Sequence, residues 1–256
     1  MLRGFRSRHT RKKSGFVLVE GVRACGEALK RKPGWLEFVV FSASFAGSGD
    51  GVSLERLLGD SECPRQIVTD SDFSEMAVTE NPQGVLCVMR RPLAGEAASA
   101  VRDPFRLILD RIQEPGNLGT MLRTAWAVGL TTVWVTKGSA DPYGPKAIRS
   151  GMGAQFSLEI QVIRDLAEAR DKLAEEGSGD LWLAVPHGGV DCFDGSFDPT
   201  GGGLVIGNEA GGIVELSLGR KVSIPMPGNA ESLNAAQAAT VLLFETVRRR
   251  LLAAET

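Results

Sequence analysis

The sequence predicts a two-part α/β protein whose larger, C-terminal part is built on a parallel sheet. Strand-sized apolar segments alternate with helical segments through residues 103–256, and nearly continuous apolar strands are typical of a parallel sheet covered on both faces. The length of 256 residues allows two modest domains. A Pro-, Gly- and Ala-rich stretch begins at Arg91 between two regularly patterned regions, so residues 93–102 are the predicted linker.

The part before the linker, residues 16–92, predicts a small α/β domain. Short apolar runs predict four strands, at residues 16–20, 38–41, 66–69 and 85–89. Helical patterns predict three helices between them, at residues 22–30, 53–58 and 72–76. The last of these helices carries an Asp72-x-x-Glu75 capping signal.

The part after the linker, residues 103–256, alternates more regularly. Six strands are predicted, at residues 105–109, 132–135, 158–162, 181–185, 204–206 and 222–224. Four helices are predicted, at residues 118–128, 145–152, 165–175 and 233–252. Ligands of such sheets bind beyond the carboxyl ends of the strands, so we expect the functional site at that edge.

Residues 1–15 form a predicted basic, flexible tail. No acidic residue precedes Glu20, whereas six basic residues do, namely Arg3, Arg6, Arg8, Arg11, Lys12 and Lys13. The net charge of the whole chain is −2, so the basic character is local. Such a block is typical of a solvated tail and also of a segment that binds phosphates.

Composition and residue counts exclude several classes of protein. The longest apolar runs are strand-sized, and the basic N-terminus lacks the apolar segment of a secretory signal, so we expect no membrane partner and a cytoplasmic location. The four cysteines are scattered, with no C-x-x-C pair, and only two histidines are present. We therefore expect no metal site and reduced thiols.

Three polar, glycine-containing blocks follow predicted strands. They are Gln113-Glu-Pro-Gly-Asn-Leu-Gly-Thr-Met-Leu-Arg123, Leu204-Val-Ile-Gly-Asn-Glu-Ala-Gly-Gly-Ile213 and Val222-Ser-Ile-Pro-Met-Pro-Gly-Asn-Ala-Glu-Ser-Leu-Asn234. The chain has no G-x-x-x-x-G-K-[ST], G-x-G-x-x-G, G-x-S-x-G or H-E-x-x-H motif. Exposed backbone groups at such loops can bind an adenine and a ribose, and glycine permits close approach.

The three blocks resemble the motifs of the SPOUT class of RNA methyltransferases, specifically the SpoU/TrmH ribose 2′-O-methyltransferases. Asn117-x-Gly-x-x-x-Arg123 is similar to the first motif, Ile206-Gly-Asn-Glu209 to the second, and Ser223-Ile-Pro-Met226 with Ser232-Leu-Asn234 to the third. The resemblance covers residues 103–256 most clearly. Glu20-Gly-Val-Arg23 and Asn81-Pro-Gln-Gly84 resemble the small ribosomal-protein-like recognition domain of that family.

The resemblance implies a fold, a cofactor and partners. It implies a SPOUT fold with a C-terminal trefoil knot around residues 204–226 and the final helix, an exception to the rule that chains do not thread their own loops. It implies S-adenosylmethionine as methyl donor and a homodimer with a shared active site. It also implies that five residues hold the cofactor, namely Ile206, Gly207, Ile224, Met226 and Leu233.

The resemblance also assigns catalytic residues, namely Arg123, Asn117, Glu209, Ser232 and Asn234. The family account gives Arg123 the role of base, but a guanidinium is effectively never deprotonated in proteins. We therefore expect Arg123 to clamp the adjacent phosphate and to stabilise the developing alkoxide. Asn117 and Asn234 would orient the ribose and Arg123, Ser232 would hydrogen-bond nearby, and Glu209 would fix Arg123 or its counterpart in the partner subunit.

RNA is the implied substrate, with ribosomal RNA favoured over tRNA by the N-terminal recognition domain. Lys146, Arg149 and Arg23 are the expected RNA contacts. Residues 16–92 would form the recognition domain and residues 103–256 the catalytic domain. The alternatives are methylation of tRNA, methylation of a base nitrogen, and a non-catalytic RNA-binding assembly factor.

Overall fold

A computed structural model describes residues 15–59, 63–92, 103–177 and 180–254. Most of the predicted N-terminal tail and all of the predicted linker lie outside these residues. The described chain forms two units, one made of residues 15–92 and 141–157 and the other of residues 103–140 and 158–254. No helix among the described residues is long and apolar enough to cross a membrane.

The first unit contains a four-stranded mixed sheet. Its strands are β1 (Phe16–Glu20), β2 (Leu36–Ser42), β3 (Arg65–Val68) and β4 (Val85–Arg90). They lie in the order β1-β4-β2-β3. β4 pairs antiparallel with both of its neighbours, and β2 pairs parallel with the edge strand β3. All four predicted strands are present, β1 with its predicted bounds and the other three with bounds within two residues of the prediction.

Among the described residues, four helices lie between the strands of this sheet, namely α1 (Val22–Arg31), α2 (Ala43–Ala46), α3 (Gly49–Leu58) and α4 (Asp70–Met76). A short 3₁₀ turn, Pro33–Trp35, precedes β2. The predicted capping signal of α4 is wrong, because Thr69 is the N-cap and its hydroxyl accepts a hydrogen bond from the Asp72 backbone N–H at 3.1 Å. A threonine side chain satisfies one of the unpaired amides of the first turn, so the helix begins two residues earlier than expected.

Residues 141–157 follow the second strand of the C-terminal part in sequence, yet they pack with the first unit. The segment contains α6 (Pro145–Gly151) and a 3₁₀ turn, Ala154–Phe156. Arg91 donates two hydrogen bonds to the Asp141 carboxylate, at 2.8 and 3.1 Å, and its guanidinium lies 5.3 Å from the centre of the Tyr143 ring. The first unit is therefore built from two stretches of sequence.

The second unit contains a seven-stranded sheet in which every pairing is parallel. The strands are β5 (Arg106–Leu109), β6 (Thr132–Thr136), β7 (Glu159–Ile163), β8 (Leu181–Ala184), β9 (Val190–Asp191), β10 (Gly203–Ile206) and β11 (Gly219–Ser223). They lie in the order β7-β6-β5-β10-β8-β11-β9. The predicted α/β class with a parallel sheet is confirmed, and the two-residue strand β9 is an addition.

The described residues of the second unit also form three helices, namely α5 (Pro115–Ala127), α7 (Leu166–Glu175) and α8 (Ala235–Ala254), and a 3₁₀ turn, Leu216–Leu218, precedes β11. Ile108, Trp134 and Val205 are almost fully buried in one apolar cluster with residues of α7 and β8. α5 packs along α8, where the Thr124 and Thr240 hydroxyl oxygens lie 3.4 Å apart. This core holds the carboxyl ends of β5, β10 and β11 at one edge of the sheet.

Candidate active site

A cleft of about 260 Å³ opens where β8, β10 and β11 end. We call it the strand-end cleft. Seven of the site residues predicted from the sequence line it, namely Ile206, Gly207, Glu209, Ile224, Met226, Ser232 and Leu233. The structure thus brings all five expected cofactor residues together, along with the Glu209 and Ser232 side chains expected to act in catalysis.

Gly207 is the residue at which the loop after β10 turns back on itself. A Cβ added there would lie 2.5 Å from Cγ1 of Ile213 and 2.8 Å from the Gly212 carbonyl carbon. Real Cβ atoms essentially never come so close to backbone, so any larger residue would push the loop outward. The absence of a side chain also leaves the Gly207 backbone open to the cleft.

Asn208 holds this loop in shape. Its side-chain amide donates to the Arg111 carbonyl at 2.8 Å, and its Oδ1 accepts hydrogen bonds from the backbone N–H groups of Ala210 and Gly211 at 3.0 and 2.7 Å. An asparagine that bonds to the amides two and three residues ahead stabilises a tight turn. Sequence reasoning quoted Asn208 within a motif but did not place it in the site.

Glu209 joins the loop after β10 to the start of α5. Its carboxylate accepts hydrogen bonds from the backbone N–H groups of Gln113 and Glu114, at 3.1 and 3.2 Å, and from Nδ2 of Asn117 at 3.0 Å. Partial burial raises the pKa of Glu209, but these hydrogen bonds outweigh burial and hold the pKa below its ordinary value. Glu209 is therefore a carboxylate at neutral pH.

Asn117 also connects α5 to α8. The Asn234 side-chain amide donates to Oδ1 of Asn117 at 3.1 Å, while Oδ1 of Asn234 accepts from the Ala236 backbone N–H at 2.9 Å, as a helix N-cap does. Glu209, Asn117 and Asn234 thus form one hydrogen-bonded chain across the three sequence blocks. We call it the Glu209–Asn117–Asn234 chain.

Arg123 lies on the exposed face of α5, on the same stripe as Thr120 and Ala127. Among the described residues, its guanidinium has no hydrogen bond or ion-pair partner. Glu209 therefore does not bind Arg123 within one subunit, and the expectation that it fixes this arginine is met only if the arginine comes from a partner subunit. An exposed cation without a partner is available to bind an anionic ligand.

A second group of residues near the site was missed by sequence reasoning. Asp110, buried at the end of β5, accepts hydrogen bonds from the Thr136 hydroxyl at 2.9 Å and from the Arg111 guanidinium at 2.8 Å. The Arg111 backbone N–H donates to the Thr136 hydroxyl at 2.9 Å, and Arg111 has a φ of 52°. Its left-handed backbone turns the chain out of β5 and places its carbonyl against Asn208.

The expected RNA contacts lie in the first unit. Arg23 is on α1, and Lys146 and Arg149 are on α6. None of the three lines the strand-end cleft. Among the described residues, no group of three or more histidine, cysteine, aspartate or glutamate side chains is arranged to hold a metal ion.

Comparison with protein families gives two matches that follow the two parts of the chain. The SpoU rRNA methylase family model matches residues 104–244, which is more than half of the chain. The model of an MRM3-like substrate binding domain matches residues 1–87.

Relatives of known name match nearly the whole chain. The chain is 34% identical over 256 residues to the 23S rRNA (uridine(2479)-2′-O)-methyltransferase of Streptomyces viridochromogenes, covering 96% of this chain and 87% of that protein. It is 32% identical to the 23S rRNA (guanosine(2553)-2′-O)-methyltransferase of Bacillus subtilis, covering 92% of this chain and 91% of the relative.

Two solved structures of a SpoU methyltransferase are similar to this chain over nearly its whole length. The crystal structure of the SpoU methyltransferase AviRb from Streptomyces viridochromogenes superimposes with a TM-score of 0.83 at 31% identity and covers 98% of both chains. A structure of that protein in complex with the cofactor AdoMet, S-adenosylmethionine, superimposes with a TM-score of 0.81 at 32% identity over 98% of this chain and 96% of that chain.

The family match, the named relatives and the related structure with bound AdoMet identify the chain as an S-adenosylmethionine-dependent RNA methyltransferase, and its parallel sheet and strand-end cleft agree with that class. The three sequence motifs and the two family matches narrow that class further. The chain belongs to the SpoU rRNA methylase family.

Proposed function

We propose that the protein transfers a methyl group from S-adenosylmethionine to a ribose 2′-hydroxyl of ribosomal RNA. One arrangement carries this proposal: the Glu209–Asn117–Asn234 chain runs from the rim of the strand-end cleft to α5, the helix that carries the unpaired Arg123. The two relatives described above are named as ribose 2′-O-methyltransferases of 23S ribosomal RNA. Their names favour ribosomal RNA over tRNA.

The residues of the strand-end cleft suit S-adenosylmethionine. Apolar side chains of Ile206, Ile224, Met226 and Leu233 offer surfaces for an adenine ring, and the bare backbone of Gly207 allows close contact with a ribose. A mostly apolar cleft with a few polar groups and exposed backbone is typical of such sites. When bound, the cofactor supplies a methyl group on a positively charged sulfur.

Arg123 would act on the RNA. A ribose 2′-hydroxyl is a poor nucleophile, so its attack needs positioning and relief of its proton. The guanidinium of Arg123 would bind the phosphate next to the target ribose in a bidentate manner and stabilise the alkoxide that develops at O2′. The proton would leave to a phosphate oxygen or to water, since a guanidinium does not accept it at neutral pH.

The Glu209–Asn117–Asn234 chain would position these groups. Glu209 would anchor the start of α5 through two backbone amides and Asn117, which keeps that helix in register with the cleft. Asn117 and Asn234 would orient the ribose, and Ser232, which lines the cleft, would hydrogen-bond nearby.

A homodimer would complete the site. α8 exposes the large apolar side chains of Phe244 and Leu251, which are 50% and 63% accessible, seven residues apart on one face. α5 packs beside α8 and carries Arg123 on its exposed face. A second subunit that covers the apolar stripe would bring its own Arg123 close to the interface, where Glu209 could meet it.

The trefoil knot is also part of the proposal. β10 lies between β5 and β8, β11 pairs with the far side of β8, and α8 returns to pack on α5. The loops after β10 and β11 and the start of α8 all line the same cleft. A final helix that passes through the loop formed by residues 204–226 would account for this convergence.

The first unit would recognise the RNA, because residues 1–87 match a substrate binding domain and contain Arg23. Lys146 and Arg149, from the segment that packs with this unit, would add phosphate contacts. Residues 16–92 are thus proposed as the recognition domain, residues 103–256 as the catalytic domain, and residues 1–15 as a basic tail. A cytoplasmic location stays a prediction.

Mapping of 2′-O-methylated positions in total RNA, with and without the protein, tests this function. We expect one ribose in the large-subunit ribosomal RNA to gain a methyl group only when the protein is present. A new position in tRNA would support the tRNA alternative. A methyl group on a base nitrogen, or no new methyl group despite RNA binding, would contradict the proposed reaction.

A further inference from the structure

The first unit contains a second cleft, of about 660 Å³, that the proposed reaction does not use. We call it the α1–α6 cleft. The residues that matter for its chemistry are Arg23 on α1, Asp50 on α3, Asn81 and Gln83 before β4, and Arg149 and Met152 at the end of α6. Its walls therefore come from both stretches of sequence that build the unit.

Two arginines give this cleft a cationic rim. Arg23 and Arg149 are both exposed, and neither guanidinium has a hydrogen bond or ion-pair partner among the described residues. Lys146, the third expected RNA contact, lies one turn before Arg149 on α6 but does not line the cleft. Of the three expected RNA contacts, only Arg23 and Arg149 therefore line this cleft.

The floor of the cleft offers hydrogen-bonding groups held in defined positions. Oε1 of Gln83 accepts a hydrogen bond from the Val22 backbone N–H at 3.0 Å, which fixes the amide and leaves its Nε2 as a donor. The buried carboxylate of Glu20 accepts from the Val78 backbone N–H at 2.8 Å and from the Thr79 hydroxyl, so it holds the adjoining turn. Asn81 and Asp50 add further donor and acceptor atoms.

The wall formed by α6 ends in two residues with left-handed backbone conformations, next to α1. Met152 has a φ of 52°, a conformation that a bulky residue seldom adopts, and Gly153 follows with a φ of 82°. A Cβ at Gly153 would lie 3.2 Å from the Ala24 carbonyl oxygen and 3.0 Å from the Glu27 Cβ. Met152, which is half-buried, lines the cleft next to this close contact.

We propose that the α1–α6 cleft binds one unpaired nucleotide of the RNA substrate, with phosphates at Arg23 and Arg149 and the base beside Gln83, Asn81 and Met152. Sequence-specific RNA recognition mostly targets single-stranded bases, whose edges need both donors and acceptors. A thioether packs well on an aromatic ring, and arginine binds phosphate in a bidentate manner. The inference rests on the proposed function, since it assumes an RNA substrate.

Binding of the full-length protein to two labelled RNAs tests this inference. One probe is a hairpin whose loop contains every base, and the other is a fully paired RNA of the same length. We expect Arg23→Ala and Arg149→Ala each to weaken hairpin binding by about tenfold, a loss typical of a bidentate charged contact. Binding of the paired RNA should fall no further than in Arg56→Ala, a control that removes another exposed arginine of the same unit.

The comparison of hairpin with paired RNA separates a nucleotide site from general attraction to the RNA backbone. Equal losses for hairpin and paired RNA, or losses no larger than in Arg56→Ala, would overturn the inference, because counterion release acts on any RNA. A hairpin carrying 4-thiouridine in its loop should cross-link to the tryptic peptide that contains Met152. Cross-links confined to the second unit would also contradict the proposal.

Methyl transfer is measured separately on the same samples. If the wild-type protein transfers no methyl group but Arg149→Ala still loses its preference for the hairpin, the proposed reaction fails while the cleft remains an RNA site. If methyl transfer occurs and the preference is unchanged in both arginine variants, the cleft inference fails alone.

Discussion

Asn117 and Glu209, 92 residues apart in sequence, are joined by a hydrogen bond of 3.0 Å between the asparagine amide and the glutamate carboxylate. The bond links the helix that carries Arg123 to the loop that lines the strand-end cleft. Because the carboxylate also accepts two backbone amides, a change at Glu209 should disturb the start of α5 and the cleft together.

Glu209→Gln should therefore lower both methyl transfer and stability, and the stability effect should depend on pH. The folded state holds the pKa of Glu209 below its ordinary value, so the carboxylate stabilises the fold fully above about pH 4.3. This contribution is lost as the pH falls through the folded pKa. The difference in free energy of unfolding between wild type and Glu209→Gln, from urea titrations, should shrink between about pH 7 and about pH 3.5.

Glu175→Gln is the matched control for that titration. Glu175 is an exposed carboxylate near the end of α7, with no hydrogen bond partner among the described residues. Its replacement should leave the difference from wild type small at every pH. A Glu209→Gln difference that stays constant or grows with acidity would contradict the assigned hydrogen bonds.

Gly207→Ala should abolish cofactor binding without unfolding the protein. The added Cβ would meet Ile213 and the Gly212 backbone at 2.5 and 2.8 Å, so the loop would have to move at the cleft. We expect no S-adenosylmethionine binding to be detected by calorimetry, which corresponds to a loss of affinity of at least about a hundredfold. Gly211→Ala is the control, because its Cβ would meet only Oδ1 of Asn208, at an ordinary 3.5 Å; equal affinity in the two variants would contradict this account of the loop.

Phe244→Glu should convert the proposed dimer to monomers. The side chain is 50% exposed on α8, beside the helix that carries Arg123, and a buried charge at an interface without a partner is strongly unfavourable. Sedimentation velocity would show the change in mass, and methyl transfer should fall with it. Val162→Glu, which alters a valine that is 62% exposed on β7, should leave the mass unchanged.

Mixing two inactive variants tests whether Arg123 acts across the dimer. After subunit exchange, half of the dimers formed by Arg123→Ala and Gly207→Ala chains would be mixed, and each mixed dimer would hold one intact site of two. Activity should then recover to about a quarter of the wild-type rate. If mass analysis shows that subunits have exchanged but activity does not recover, Arg123 acts with the cleft of its own subunit.

The sequence predicted most elements of both units because their apolar periodicity and turn residues agree with the final packing. The strand Phe16–Glu20 was predicted with its observed bounds, and the final helix, Ala235–Ala254, within two residues. The pattern also indicated that the three polar sequence blocks would meet at one edge of the sheet, since each block follows or ends a parallel strand. The resemblance of the three blocks to SpoU/TrmH motifs assigned roles to their residues, which apolar periodicity alone does not.

What the sequence did not predict depends on contacts between distant residues. Residues 141–157 are patterned like any helix between two strands, and nothing local shows that α6 packs with β1. The Asp110, Thr136 and Arg111 hydrogen bonds were missed because each residue alone is ordinary at a strand end. Thr69 was missed as a cap because Asp72 and Glu75, which lie inside the helix, also match the spacing of a capping pair.

The most direct test of the central claim is mass analysis of nucleosides released from ribosomal RNA after incubation with S-adenosylmethionine and purified protein, either wild type or Arg123→Ala. Arg170→Ala, which alters an exposed arginine of α7 in the same unit, serves as the charge control. We predict a 2′-O-methylated nucleoside with wild type and Arg170→Ala and at least about a hundredfold less with Arg123→Ala, although that variant still binds the cofactor. A base-methylated nucleoside, or near-normal product from Arg123→Ala, would contradict the account.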